Sequence, residues 1–139
     1  KSGIRGCGIR RGIRYGAEPF SDYLQRSQSE PMVIIQIEHI DAVRNLDEIL
    51  EVPGIGSICI GPCDLSGSMG ILNQVEDAEL NRIIDEVCLK VKAKGLLLGT
   101  AAGNYSRWKA RKVDWLAGIS DWGAMAAGVS HFRAEYENA

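Results

Sequence analysis

Glu38 and Asp64 are the side chains whose type and position best suit them to chemistry. Each closes a short apolar run: Val33-Ile34-Ile35-Gln36-Ile37-Glu38 in one case, Ser57-Ile58-Cys59-Ile60-Gly61-Pro62-Cys63-Asp64 in the other. Runs rich in Ile and Val with little alternation read as strands buried on both faces. A helix-like segment, Asp41 to Glu51, lies between them. Strand–helix–strand units build parallel sheets, and in parallel α/β folds the chemistry sits beyond the carboxyl ends of the strands. Neighbouring strands are about 4.8 Å apart, so both carboxylates can reach one cation from a shared rim. Two carboxylates make a hard-oxygen site suited to Mg²⁺ or Mn²⁺, with positions left open for substrate. The same two residues also read as a helix cap or a loop salt-bridge partner, common duties of strand-end acids.

The elements that must position this pair follow in order. Residues 1–16 are rich in Gly and Arg, which fits either a loop that approaches an anionic ligand or a solvated terminus. Residues 19–30 read as a short helix or turn ending before Pro31. After strand 33–38, helix 41–51 and strand 57–61 comes a Gly/Ser-bearing loop, Leu65 to Gln74, of the kind that closes over a ligand. The clearest helix runs from about Ala78 to Lys94: Leu80, Ile83, Ile84, Val87, Cys88 and Val91 form one apolar face, with Asp77 as N-cap and Gly95 just past the end. Strand 96–100, a short helix from Asn104 to about Lys112, strand 115–119 and a final helix carrying Met125, Val129, Phe132 and Tyr136 complete the chain.

Four βα units in 139 residues predict an α/β fold, about half of a (β/α)8 TIM-type barrel of roughly 250 residues, with residues 1–139 as one partial domain. A flavodoxin-like or Rossmann sheet is the rival. No G-x-G-x-x-G follows a strand and opens a helix, which disfavours the dinucleotide version.

Composition narrows the function classes. The chain is 45% hydrophobic with net charge −2, so nucleic acid gains no electrostatic support as a partner. No apolar run approaches the ~20 residues of a membrane span, and there is no apolar signal segment. Without an initiator Met, the chain is expected to begin inside a longer protein or to follow processing. The four cysteines, Cys7, Cys59, Cys63 and Cys88, show no CxxC spacing. Reduced, buried thiols in a cytoplasmic protein are the expectation, and zinc is disfavoured.

Gly3-Ile4-Arg5-Gly6-Cys7-Gly8, Asp22-Tyr23-Leu24-Gln25, Gln36-Ile37-Glu38, Ile60-Gly61-Pro62-Cys63-Asp64-Leu65-Ser66 with Met69-Gly70, and Ala117-Gly118-Ile119-Ser120-Asp121 together resemble the HpcH/HpaI aldolase family, specifically its C-terminal portion. The resemblance implies divalent-metal-dependent aldol cleavage of a 2-keto-3-deoxy or 4-hydroxy-2-oxo acid to pyruvate and an aldehyde. It implies that Glu38 and Asp64 bind the metal (Mg²⁺ or Mn²⁺, with Co²⁺ a further candidate). It makes Gln36 a substrate hydrogen-bonder and the Cys63 and Asp64 backbone amides donors to a pyruvate- or oxaloacetate-like carboxylate. Cys63 departs from the family, which usually has Ala there. The family's His base and keto-binding Arg come from the first half of the barrel, so neither His39 nor His131 matches the base, and both read as structural or surface residues. No lysine stands at a predicted strand end, which fits a metal mechanism better than a Schiff base. The resemblance also implies a homo-oligomer in which the last helix packs on a neighbour, or pairing with the missing N-terminal half. Two other functions remain open: a non-catalytic fragment retaining metal and pyruvate binding, and a citrate-lyase β-like lyase of CoA thioesters.

Overall fold

In the computed structural model, which describes residues 8, 11–29 and 31–139, the chain divides into two units, Lys1–Met32 and Val33–Ala139. The Gly3, Arg5, Gly6 and Cys7 positions singled out in the sequence lie outside the described residues.

In the first unit, Arg11–Gly16 forms a 3-10 turn rather than a plain loop, kinked where Arg14 (φ 49°) and Tyr15 (φ 55°) enter the left-handed region. Helix α1, Phe20–Arg26, falls inside the expected 19–30 segment. The Arg26 guanidinium donates to both carboxylate oxygens of Glu18, at 3.1 and 2.8 Å, and to Gly12 O at 3.0 Å. That fork–fork pairing is the geometry in which Arg outperforms Lys, and the Arg26 hydrogen bonds hold the Glu18 carboxyl below its ordinary range.

The second unit is built on strand β1, Val33–Ile37. His39 N-caps the next helix, its Nδ1 accepting from Asp41 N at 3.1 Å. The single helix expected over 41–51 is two short ones, α2 (Ile40–Arg44) and α3 (Leu46–Leu50), because the backbone leaves helical geometry at Asn45 (φ −95°, ψ 13°). Asn competes for backbone hydrogen bonds and tolerates such breaks. Leu46 and Leu50 stay buried on the core side. Strand β2 is Ile55–Ile60.

The expected loop from Leu65 instead begins as helix α4, Pro62–Ser68. Pro62 at the first helical position has its φ set for the helix, and Leu65 is fully buried. The Ser66 and Ser68 hydroxyls donate to Cys63 O and Leu65 O at 2.6 and 2.7 Å, so the serines that read as loop are absorbed by the turn they sit on.

Helix α5, Ala78–Ala93, buries the predicted face, with the Asp77 carboxylate accepting from Leu80 N at 2.9 Å. Strand β3 is Leu97–Thr100. Helix α6, Tyr105–Ala110, starts after Asn104, which has a left-handed φ of 58° and makes no side-chain cap hydrogen bond. Strand β4 is only Trp115–Leu116, against an expected 115–119, and helix α7, Asp121–Glu137, ends the chain.

The strands form one parallel sheet in the order β1-β2-β3-β4. One face sets Ile37, Ile58, Ile60 and Leu98 against Leu46, Leu80, Ile84, Val87 and Val91, all nearly inaccessible, each contributing about 1.5–3 kcal/mol of burial. On the other face the register aligns Gln36, Cys59, Gly99 and Trp115 in one row. β2 is buried on both faces as expected from its composition, but β1 is not: Val33 and Ile34 are exposed, as befits a sheet edge. On α7, Trp122, Met125, Val129, Phe132 and Tyr136 are all exposed. Among the described residues, no helix is long and apolar enough to cross a membrane.

Candidate active site

The parallel register brings the carboxyl ends of β1 and β2 side by side, with Ile37 paired to Ile60. Gly61 N donates to Ile37 O at 3.0 Å, carrying the ladder one step past the strand ends. Glu38 therefore emerges on the same rim as Gly61, and the two residues touch. A Cβ at Gly61 would lie 3.1 Å from Glu38 Cβ and 2.9 Å from Gln36 Nε2. Chain direction then reverses into α4, whose first turn carries Cys63 and Asp64, both exposed.

Gln36 and Glu38 are two residues apart, so their side chains leave the same face of the strand path. Gln36 Nε2 donates to Glu38 Oε2 at 2.6 Å, which ties down the carboxylate. Among the described residues there is no group of three or more His, Cys, Asp or Glu side chains poised for a metal.

A cavity of about 460 Å³ opens at this rim, within the usual size of small-molecule sites. Gln36, Cys63 and Asp64 line it together with Glu76, Asn104 and Arg107. Glu38 stands beside Gln36 and Gly61 rather than on the cavity wall. Of the four site residues expected from the sequence, three share one cavity and the fourth is hydrogen-bonded to one of them.

The expectation of buried thiols holds for Cys59 and Cys88 and fails for Cys63. Burial pushes the Cys59 thiol above its ordinary value and the Cys88 thiol up to about 11. Cys63 is exposed because β2 ends at Ile60, which places this residue on the rim and not in the sheet. The two histidines stay on the surface: His39 caps α2 and lies 3.5 Å from Asp41, and His131 lies 3.5 Å from Glu135.

The arginines of the cavity lining were not read from the sequence. Arg107 donates to Asn81 Oδ1 at 2.9 Å and to Val75 O at 3.4 Å, and it pairs with Glu76, which also accepts from Asn104 Nδ2 at 3.2 Å. Arg111 donates to Asp85 at 2.7 Å and to Asn81 Oδ1 at 2.9 Å, with its guanidinium 4.8 Å from the Trp108 ring centroid. These partners come from α5, α6 and the segment before α5. Only the hub, Asn81, carries a cue, as a polar residue on the flank of an apolar helix.

A parallel sheet with helices between its strands and acidic side chains at the carboxyl rim defines an α/β protein of TIM-barrel type. The solved HpcH/HpaI aldolase from Desulfitobacterium hafniense DCB-2 superposes on it with a TM-score of 0.73 at 26% identity, over 99% of this chain and 54% of that one. The family model described as HpcH/HpaI aldolase/citrate lyase matches residues 2–127, and the chain belongs to that family. It is 34% identical over 105 residues to the 4-hydroxy-2-oxo-heptane-1,7-dioate aldolase of Escherichia coli, covering 74% of this chain and 39% of that protein. It is 35% identical over 97 residues to the 2-keto-3-deoxy-L-rhamnonate aldolase of Klebsiella pneumoniae, covering 70% of this chain and 36% of that protein. The chain thus spans less than half the length of these curated relatives.

Proposed function

We propose that this chain carries the metal- and 2-oxo-acid-binding part of a carbon–carbon lyase that cleaves a 4-hydroxy-2-oxo or 2-keto-3-deoxy acid to pyruvate and an aldehyde. The observation that supports it best is the rim itself: Glu38, oriented by Gln36, beside the Gly61 turn that delivers Asp64.

The donor set fits a divalent ion of the Mg²⁺ or Mn²⁺ kind, or Co²⁺. Both donors are exposed hard-oxygen carboxylates, and two protein ligands leave coordination positions for water and substrate. Glu38 and Asp64 would hold the ion. Bound there, it would act as a Lewis acid on the keto oxygen of the substrate and so favour departure of the aldehyde. Gln36 keeps the Glu38 carboxylate in place and presents its amide to the substrate. The N–H groups of Cys63 and Asp64 belong to the first turn of α4, where helix geometry supplies no intrahelical acceptor, and they receive the pyruvate carboxylate. Cys63 sets the width of the pocket at that point. His39 is engaged as the α2 cap, so the proton-transfer step is not assigned to it. The exposed apolar side chains of α7 support a homo-oligomer, and we place the protein in the cytoplasm.

The test is Mn²⁺ binding followed by electron paramagnetic resonance, with an aldol-cleavage assay on the same sample. Glu38→Gln and Asp64→Asn should each lose the bound-ion signal and the turnover. Turnover that survives chelation would refute the metal reading. Metal and pyruvate binding without turnover would identify a binding fragment. Cleavage confined to an acyl-CoA would indicate a citrate-lyase-like enzyme.

A further inference from the structure

The arginine-rich lead-in, which the lyase reading leaves unused, folds within the Lys1–Met32 unit. There Arg11, Gly12, Arg14 and Arg26 line an open cavity of about 620 Å³. Three guanidinium groups around one concavity repel one another unless negative charge is brought to them.

The three are held differently. Arg26 is fixed: it donates to both carboxylate oxygens of Glu18 and to Gly12 O, and its guanidinium lies 5.8 Å from the Tyr23 ring centroid. Glu18 is engaged by that pair and has only 13% of its side chain exposed. Arg11 and Arg14 are exposed and, among the described residues, donate to no carboxylate. The Glu18 carboxyl, held below its ordinary range chiefly by the Arg26 hydrogen bond, also feels the Arg14 charge. One acid against three cations leaves two positive charges at the cavity. The backbone at Arg14 and at the adjacent Tyr15 is left-handed, with φ of 49° and 55°. Strained positions of this kind collect where ligands are held.

A monocarboxylate would balance half of that charge. A phosphate monoester carries about −1.5 to −2 at neutral pH and presents three acceptor oxygens, and the planar fork of arginine takes two such oxygens at once. We propose that Arg11, Arg14 and Arg26 form a binding site for a phosphoryl group, either free phosphate or the phosphate end of a small phosphorylated metabolite, and that this site uses no residue of the strand rim. The Arg26–Glu18 pair is its fixed wall, and Arg11 and Arg14 supply the charge that takes the anion.

The test is titration of the full chain with inorganic phosphate and with glycerol 3-phosphate, at constant ionic strength in chloride. EDTA is present so that no divalent ion bridges phosphate to the rim carboxylates. Calorimetry gives the affinity, and the arginine Nε–H NMR signals give the place. Binding should saturate and shift the Arg11 and Arg14 signals. Arg11→Gln and Arg14→Gln, both at exposed positions, should each weaken phosphate about tenfold or more, the worth of one charge-assisted contact. Glu18→Gln, which removes the opposing charge, should tighten it, and Arg107→Gln, in the other arginine cluster, should leave it unchanged. Tighter binding of glycerol 3-phosphate points to a phosphorylated metabolite as the ligand, and tighter binding of phosphate to the free anion. Binding that does not saturate, affinity unchanged in both Arg11→Gln and Arg14→Gln, or affinity lost in Arg107→Gln would overturn the inference.

Discussion

Gln36 donates from Nε2 to Glu38 Oε2 across 2.6 Å, and Gly61 is what makes room for the pair. A methyl group at Gly61 would press on both members, 2.9 Å from Gln36 Nε2 and 3.1 Å from Glu38 Cβ. The amide is the end of a flexible side chain and can swing away, but Glu38 Cβ is tied to the backbone. Gly61→Ala should therefore break the orientation of Glu38 while sparing the core beneath it. Mn²⁺ affinity should fall about tenfold, equivalent to about 1.4 kcal/mol, with the thermal midpoint nearly unchanged. A large drop in midpoint with intact metal affinity would show that Gly61 serves the fold and not the site.

Helix α5 was legible in the sequence because its burial pattern, its Asp77 cap and its terminal Gly95 all point the same way. The rim was legible for a related reason: two acid-terminated apolar runs on neighbouring parallel strands leave little freedom in where the acids emerge. Helix α4 was hidden because its Ser and Gly residues have loop composition, and the serine–carbonyl bonds that reconcile them with a helix appear only once the turn has formed. The break at Asn45 and the φ of 58° at Asn104 are backbone choices that Asn permits but does not announce. The Arg107–Glu76 pair joins residues 31 apart in sequence, a relation set by how α5 and α6 pack and by no local spacing.

Gly99 pairs with Trp115 on the neighbouring strand, and a Cβ there would lie only 2.0 Å from the indole Cε2 and 2.1 Å from Cδ2. The ring is also anchored, its Nε1 donating to Ser57 Oγ at 2.8 Å, and Ser57 in turn donates to Leu97 O at 2.9 Å. Gly99→Ala should displace the indole and lower stability by about 1–3 kcal/mol or more, visible in the urea midpoint and in near-ultraviolet dichroism. Combined with Trp115→Ala, which removes the obstacle, the double variant should lose less than the sum of the two single losses. Strict additivity would mean the two residues do not conflict.

The three cysteines among the described residues should separate cleanly by reactivity. Cys63 is exposed at the cavity, whereas Cys59 and Cys88 are buried. With its thiol pushed up to about 11, Cys88 is about one part in a thousand thiolate at pH 8. Alkylation at pH 8 followed by peptide mass spectrometry should modify the Cys63 peptide and leave the Cys59 and Cys88 peptides untouched until urea unfolds the chain. A substrate-like acid such as pyruvate, added with Mg²⁺, should slow the Cys63 reaction. Equal labelling of Cys63 and Cys88 in the native protein would contradict the burial described above.

The Glu76 carboxyl is held below its ordinary value of 4.5, chiefly by the hydrogen bond from Arg107 and then by that from Asn104. A carboxyl lowered in the folded state contributes stability that is fully present above its unfolded value and is lost as the pH falls through the folded one. The tie between the segment before α5 and the start of α6 should therefore hold at neutral pH and release only below about pH 4.5. Carbon-detected NMR titration of Glu76 should show the depressed midpoint. It should return to the ordinary value in Arg107→Gln and move part of the way in Asn104→Ala. A midpoint indifferent to Arg107→Gln would show that Arg107 is not what holds the Glu76 carboxyl down.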